Sequence, residues 1–175
     1  PREVVVVDLD GQLVAIVTSR TDDGIEIIDV SDPDEPTSLG RCADGVSCDA
    51  TRLNDSWGVA TYTKDGSTYA VVTSNDEHSV EIIDISDPAT PTSVGSLQDN
   101  TNLNGASFLK ITTIGSSTYA VVAATNVDRV TIVDISDPTN PTRTGTLTDD
   151  GDMVLDAPKS VDVYTVDGST YAVVG

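Results

Sequence analysis

A nine-residue stretch that occurs three times constrains the fold of this chain more than any other feature. The copies are Ile25 to Pro33 (IEIIDVSDP), Val80 to Pro88 (VEIIDISDP) and Val130 to Pro138 (VTIVDISDP). Each copy is followed by two variable residues, a Pro-Thr pair and a glycine, and successive copies begin 55 and 50 residues apart. A recurring period of this size predicts a repeat architecture, so the repeat has to be considered before any single motif.

The chain between the motifs also repeats, and it predicts one repeat domain over residues 1–175. The copies cover approximately residues 1–41, 57–97 and 107–147, with a partial fourth copy over 159–175. Each full copy predicts four short β-strands separated by polar turns, the first starting with Val4 to Val7. The third strand of each copy is predicted to run into the Ser before the Asp-Pro step. Pro33, Pro88 and Pro138 have no amide hydrogen and should end these strands.

The second and third strands of each copy are apolar on both faces, as in Tyr69-Ala-Val-Val72 and Ile82-Ile83. Such a strand must be covered on both sides. Four-stranded antiparallel blades that pack face to face satisfy this requirement, as in a β-propeller. We therefore predict an all-β fold with a β-propeller-like array of about three and a half blades. The first strand alternates more clearly and suits an innermost position.

The Ile-Ile-Asp-Ile-Ser-Asp-Pro motif, preceded by a Tyr-Ala-Val-Val strand, resembles the LVIVD repeat family. The resemblance spans nearly the whole chain, although Val14 stands where later copies have Tyr69, Tyr119 and Tyr171. It implies a β-propeller-type protein of a bacterial or archaeal surface or secreted class. It implies no shared catalytic residues and no cofactor.

The two aspartates of each motif are interpreted as structural. Asp32, Asp87 and Asp137 suit Asx turns, in which the carboxylate accepts a nearby backbone amide. Asp29, Asp84 and Asp134 are predicted to lie within strands, where a buried carboxylate needs partners. We expect those partners to be backbone amides or hydroxyls of the adjacent copy.

The formal charge of −20, from 9 basic and 29 acidic residues, argues against several partners. A nucleic-acid-binding protein needs a basic surface that replaces counterions, and anionic lipid attracts basic segments. No apolar run reaches the length of about 18 residues that a membrane helix requires. We predict no nucleic-acid binding and no membrane insertion.

Cys42 and Cys48 lie six residues apart in one loop. A disulfide between them would indicate an oxidising compartment, whereas two free thiols would suit a cytosolic loop. The abundance of Thr, Ser and Asp favours the disulfide and an extracellular or cell-surface location. Asn54-Asp55-Ser56 is a possible N-glycosylation sequon.

No constellation in the sequence predicts catalysis, a metal or a cofactor. The single histidine, His78, lies in a polar turn and is expected to be solvated, without a catalytic role. The acidic clusters Asp8 to Gly11 and Asp149 to Asp152 lack the closing Glu of an EF-hand, so turn chemistry is favoured there over calcium. Trp57 and Phe108 suit packing better than ligand stacking.

We predict a non-catalytic extracellular structural or interaction protein whose main partner is itself. Fourteen predicted strands leave half a blade, so the expected assembly edges lie at Val4, Val6, Tyr171 and Val173. Strand addition between chains would give a filament, which we favour, or a ring. The alternative is that this is part of a longer closed propeller that binds a surface protein or glycan through the loops between copies.

Overall fold

The computed structural model describes residues 1–175 and confirms the all-β, blade-like fold. Three sheets have four strands and one has two, and every neighbouring pair of strands is antiparallel. We call the sheets blades one to four in chain order. The only helical element is a short 3₁₀ turn at Thr125–Val127.

The strand bounds follow the predicted repeat closely. Blade one comprises β1 (Val4–Leu9), β2 (Gln12–Ser19), β3 (Gly24–Asp29) and β4 (Thr37–Ala43). Blade two comprises β5 (Ser56–Lys64), β6 (Ser67–Ser74), β7 (Ser79–Asp84) and β8 (Thr92–Gln98). Blade three comprises β9 (Ala106–Ile114), β10 (Ser117–Ala124), β11 (Arg129–Asp134) and β12 (Thr142–Thr148). Blade four has only β13 (Val161–Val166) and β14 (Ser169–Val174).

The motif aspartates end the third strands, and their partners lie in their own copy. In blade one, Asp29 Oδ1 accepts the Ser31 amide at 2.8 Å and Oδ2 accepts the Gln12 side chain at 2.7 Å. The Ser31 amide is the main reason that the pKa of Asp29 is lowered. Asp84 and Asp134 accept the amides two residues on in the same way. The predictions that the strand reaches the serine, and that the adjacent copy supplies the partners, are both wrong.

The second motif aspartates form the predicted Asx turns. Asp32, Asp87 and Asp137 each accept the amide two residues on at 3.0 Å. The turn holds Pro33, Pro88 and Pro138 between the third and fourth strands of each full blade.

The hydrophobic core lies between consecutive blades. We define the forward face of a blade as the face toward the next blade in the chain, and the back face as the opposite one. The forward face of blade one packs through Ile16 and Ile27 against Val72 and Ile83 on the back face of blade two. A second cluster joins blades two and three, and a smaller one joins blade three to blade four.

Each loop that connects two blades places one leucine in the hydrophobic cluster between those blades. Leu53 and Leu103 are fully buried between blades one and two and between blades two and three, and Leu155 is 7% exposed beside blade four. A residue with positive φ follows each leucine two positions later, at Asp55, Gly105 and Ala157. The variable loops therefore complete the core.

A glycine in the fourth strand allows close contact with the turn of the next blade. Gly40 lies against the Pro88 carbonyl and Gly95 lies against the Pro138 carbonyl, so a Cβ at either position would overlap backbone atoms. Gly145, the equivalent residue of blade three, has open space around it. A β-bulge precedes the glycine in all three strands.

Candidate interaction surfaces

Two blade faces at the ends of the array have no blade packed against them. On the back face of blade one, Val4 and Val6 are 58% and 57% exposed. On the forward face of blade four, Tyr171 and Val173 are 49% and 57% exposed. These four residues, expected from the sequence to form assembly edges, thus lie on two opposite ends of the array.

The two ends differ in which groups remain free. Strand β1 pairs with β2 from Val4 opposite Val17 to Leu9 opposite Gln12 and is the innermost strand of a complete four-stranded blade. Its side chains on the back face have no blade packed against them. Strand β14 pairs only with β13, and its other edge has no neighbour in the sheet.

The forward face of blade four has the same arrangement as a face that is buried elsewhere in the chain. Tyr164 and Tyr171 stack with ring centroids 5.5 Å apart. In blade two, Tyr62 and Tyr69 occupy the equivalent positions, stack at 5.3 Å and pack into the cluster with blade three. The Tyr62 hydroxyl donates to the Ile135 carbonyl of blade three at 3.1 Å, and burial raises the pKa of Tyr62.

Aromatic and charged residues connect the first strands of blades one to three. The Arg2 guanidinium lies 4.3 Å from the ring centroid of Trp57, whose ring meets Phe108 edge to face at 6.0 Å. Glu3 accepts the Val59 amide at 2.8 Å, and burial raises the pKa of Glu3. Trp57 and Phe108 therefore pack across blades.

The structure joins Cys42 and Cys48 in a disulfide. Cys42 lies in strand β4 and only Cys48 lies in the loop between blades one and two, so the prediction that both lie in one loop is wrong. Cys42 is fully buried in the core, and the Cys48 carbonyl accepts the Ser93 amide of blade two at 2.8 Å. Asn54 is half-buried, and the serine of its sequon, Ser56, is fully buried and donates to the Leu53 carbonyl. Both features belong to the packed junction of two blades.

His78 and the acidic turns make local structural contacts. The half-buried His78 ring has Nδ1 2.7 Å from the Asn75 carbonyl and 3.2 Å from the Gly105 amide of the next connection, so the expectation of a solvated side chain is wrong. Asp8 accepts the Gly11 amide, and Asp149 accepts the amides of Gly151 and Leu155. These aspartates perform the turn chemistry that the sequence favoured.

Sequence reasoning missed a buried carboxylic acid at Glu81. The residue is 1% exposed in the middle of β7; its Oε1 accepts the Ser93 hydroxyl, and its Oε2 has no hydrogen-bond partner. Burial raises the pKa of Glu81 to about 6, although Ser93 and Arg52 oppose the shift. The equivalent residue of blade three is Thr131, whose neutral hydroxyl donates to the Asn102 carbonyl. No signal in the sequence could have identified this site, because the equivalent position of blade one is also a glutamate, Glu26, and it is only half-buried.

We expect Glu81→Gln to stabilise the protein at pH 7.5 by about 2 kcal/mol, because a pKa raised from 4.5 to about 6 corresponds to that free energy. The raised pKa means that the folded protein retains this proton between pH 4.5 and 6. The contribution of Glu81 is therefore fully present below pH 4.5 and is lost as pH rises through 6. Urea unfolding of both proteins at pH 4.5 and 7.5 measures this difference.

Glu26→Gln is the matched control, since Glu26 is the half-buried equivalent in blade one and also accepts a serine hydroxyl. It should change stability little at either pH. An equal gain for Glu81→Gln at both pH values would contradict the assigned titration.

The LVIVD repeat profile matches residues 20–44, 68–99 and 116–149, together a little over half of the chain. The chain belongs to the LVIVD repeat family. The matched segments contain the third and fourth strands of blades one to three with the motif turns between them, and they include the second strands of blades two and three but not that of blade one. No curated protein matches the chain.

Two solved structures align with nearly the whole of this LVIVD repeat protein. An exo-β-1,3-galactanase from Phanerochaete chrysosporium, solved with β-1,3-galactotriose, aligns over 98% of this chain and 42% of its own, with a TM-score of 0.61 and 10% identity. A functionally unknown protein from Desulfotomaculum acetoxidans aligns over 98% of this chain and 63% of its own, with a TM-score of 0.45 and 13% identity. The chain thus spans less than two thirds of either structure. At 10% identity the likeness to the galactanase concerns the fold alone.

No helix in this LVIVD repeat protein has the length and apolar character needed to cross a membrane.

Proposed function

We propose that this protein is a non-catalytic, extracellular interaction protein that assembles head to tail with copies of itself. The observation that carries the proposal is the equivalence of its two uncovered faces to faces that are buried inside the chain. The forward face of blade four repeats the stacked tyrosines of blade two, and the back face of blade one repeats positions that blades two and three bury.

The equivalence gives the expected contacts between two copies. Tyr164 corresponds to Tyr62, and Val30 at the end of blade one corresponds to Ile135 in blade three. By analogy with the Tyr62 bond to Ile135, the Tyr164 hydroxyl would donate to the Val30 carbonyl of the next copy. Val4 and Val6 would then cover Tyr171 and Val173. Such a contact is heterologous, so it can continue into a filament.

Charge opposes this contact but does not prevent it. Each copy carries a formal charge of −20, and repulsion between copies weakens as the screening length falls to about 8 Å at 0.15 M salt. Burying apolar side chains contributes about 25 cal/mol for each Å² removed from water. Association should therefore strengthen with added sodium chloride.

The contacts of the motif aspartates, of His78 and of the cysteines support the non-catalytic and extracellular parts of the proposal. The motif aspartates and His78 are engaged in turns and blade contacts. The cysteines are joined at a blade junction, and disulfides persist in oxidising compartments. Intact-mass measurement on the natural protein, alkylated without reduction, should show no added groups, and two alkylated cysteines would contradict the extracellular assignment.

Two single substitutions test the head-to-tail contact. Val6→Asp blocks the back face of blade one and Val173→Asp blocks the forward face of blade four. Analytical ultracentrifugation should show oligomers for the unaltered chain and monomers for each variant. A one-to-one mixture of the variants should form dimers that grow no further, because each variant retains one working face.

Val154→Asp is the matched control, since Val154 is 99% exposed in the connection to blade four and should leave assembly unchanged. A chain that stays monomeric at every concentration and salt level would overturn the proposal. It would favour the alternative in which further repeats of a longer polypeptide cover both faces.

A further inference from the structure

One residue in the turn between the second and third strands fastens both ends of the loop that connects each blade to the next. We call these residues the clamp residues; they have positive φ of 51° to 54° and are Asp23, His78 and Asp128. Their carbonyls accept the amide of the first residue after the fourth strand, at Asp44, Asp99 and Asp149. Their side chains accept an amide near the far end of the same loop, at Asp55, Gly105 and Ala157.

The clamp residue of the second loop is a histidine, whereas the other two are aspartates. The aspartates accept their amides through Oδ1 at 3.0 and 2.8 Å. His78 places Nδ1 3.2 Å from the Gly105 amide nitrogen. Nδ1 of histidine and Oδ1 of aspartate are both bonded to Cγ, so the two side chains have the same reach. At His78 the acceptor is therefore a ring nitrogen, which protonation converts into a donor.

His78 Nδ1 cannot satisfy both of its neighbours at once. The Asn75 carbonyl, 2.7 Å away, needs a proton on Nδ1, whereas the Gly105 amide needs the lone pair of Nδ1. A neutral ring that carries its proton on Nε2 can accept the Gly105 amide, but a protonated ring can only donate to Asn75. We infer that His78 is a pH-sensitive clamp, which holds the loop between blades two and three when its imidazole is neutral and releases it when the imidazole is protonated.

Release of the clamp would leave a buried amide without a partner. Gly105 is buried, and the Asn126 side chain occupies the place that a Cβ on Gly105 would take. A buried donor that loses its acceptor bears the full cost of its desolvation. The same loop carries Leu103, which is fully buried in the core between blades two and three. Protonation of His78 should therefore loosen the loop that holds this leucine.

The charged groups on the elements around the imidazole have other partners. Asp76, in the same turn, is exposed. The remaining groups bind away from the ring: Glu77 pairs with Arg52, Asp99 pairs with Arg143, Asp128 accepts the Ala157 amide, and Arg129 donates to the Thr101 carbonyl. His78 itself forms no ion pair. No carboxylate in contact with the ring would therefore offset the loss of the Gly105 bond.

The Gly105 bond contributes to stability at higher pH, because it requires the neutral ring, and the contribution is lost as pH falls through the titration of His78. Histidine ordinarily changes its charge between about pH 5 and 8. Carboxylates ordinarily stay ionised above about pH 5, so the aspartate clamps should not respond over this range. The direction is opposite to that at Glu81, whose contribution is lost as pH rises.

Nuclear magnetic resonance and hydrogen exchange test the clamp in the full chain. His78 is the only histidine, so its ring nitrogens give unambiguous signals, and at pH 8 we expect the proton on Nε2. From pH 8 to pH 5.5, protection of residues 99–106, corrected for intrinsic exchange, should fall by about tenfold in step with the titration of the imidazole. Residues 49–56, in the loop that Asp23 clamps, should keep their protection and serve as the internal control.

Two substitutions exchange the acceptors. His78→Asn supplies an uncharged Oδ1 on a residue that tolerates positive φ, so protection of residues 99–106 should no longer depend on pH. Asp23→His should transfer the pH dependence to residues 49–56. Three results would overturn the inference: a proton on Nδ1 at pH 8, protection of residues 99–106 that does not change with pH in the unaltered chain, or an equal loss of protection in His78→Asn.

Discussion

Gly95→Ala is expected to destabilise the protein by about 2 to 4 kcal/mol, while Gly145→Ala changes stability by about 0.5 kcal/mol or less. A Cβ at Gly95 would overlap the Pro138 carbonyl and lie 3.0 Å from the Thr139 carbonyl oxygen. These atoms belong to a turn held by the Asp137 carboxylate, so they cannot move without disturbing the Asx turn. The blades would have to separate locally or the fourth strand would have to shift.

Comparing Gly95→Ala with Gly145→Ala separates the effect of the contact between blades from the intrinsic effect of replacing glycine with alanine. Both glycines follow a β-bulge in the fourth strand, and neither has a positive φ. Alanine at either site reduces the conformational freedom of the unfolded chain by the same amount. Urea denaturation of the two variants therefore measures the cost of the blade contact, and equal losses for both would show that the turn does not set the requirement for glycine.

Gly40→Ala repeats the measurement at the first junction. Its Cβ would overlap the Pro88 carbonyl and lie 3.1 Å from the Ala89 carbonyl oxygen. We expect a loss close to that of Gly95→Ala. A loss at Gly95 alone would indicate that the two junctions differ in how far they can relax.

The sequence was sufficient to predict the blades because strand-forming residues, turn residues and repeat spacing agree with one another. The distance from Val14 to Asp29 equals that from Tyr69 to Asp84, and the structure pairs both sets directly. Local signals of this kind determine hairpin register. They also placed the apolar residues that form the two end faces.

Contacts between blades were harder to predict because they depend on burial and approach distances that a single sequence does not display. Asp84 could be recognised as structural, but its amide partner lies two residues away instead of in the next blade. The burial of Glu81 could not be predicted from the residues around it in the sequence. Glu26 has the same position in blade one and is only half-buried. The need for glycine at position 95 can be recognised only in the structure, where the turn of the next blade lies against it.

The leucines in the loops that connect the blades were also missed by sequence reasoning. In the alternative function considered from the sequence, the loops that connect the blades bind a protein or glycan. The structure shows that Leu53 and Leu103 fill the core between blades. A single apolar residue in a polar loop has no periodicity, so only its constant spacing of six residues from Val59 and Leu109 could have revealed it.

Leu103→Ala is expected to cost about 3 to 4 kcal/mol, in the range measured for leucine deletions in closed cores. Leu103 is fully buried in a cluster of ten buried residues between blades two and three. The Leu103 amide donates a hydrogen bond to the Asp99 carbonyl, and the Ala106 amide donates one to the Leu103 carbonyl. Because these bonds hold the loop in place, it cannot easily collapse into the cavity. A large part of the cost should therefore come from the cavity itself.

Leu155→Ala is the matched control at the junction with blade four. Leu155 is 7% exposed and belongs to a cluster of only four buried residues, so its removal should cost about 1 to 2 kcal/mol. Urea unfolding of both variants measures the two costs. Equal costs would show that the half blade already closes this junction.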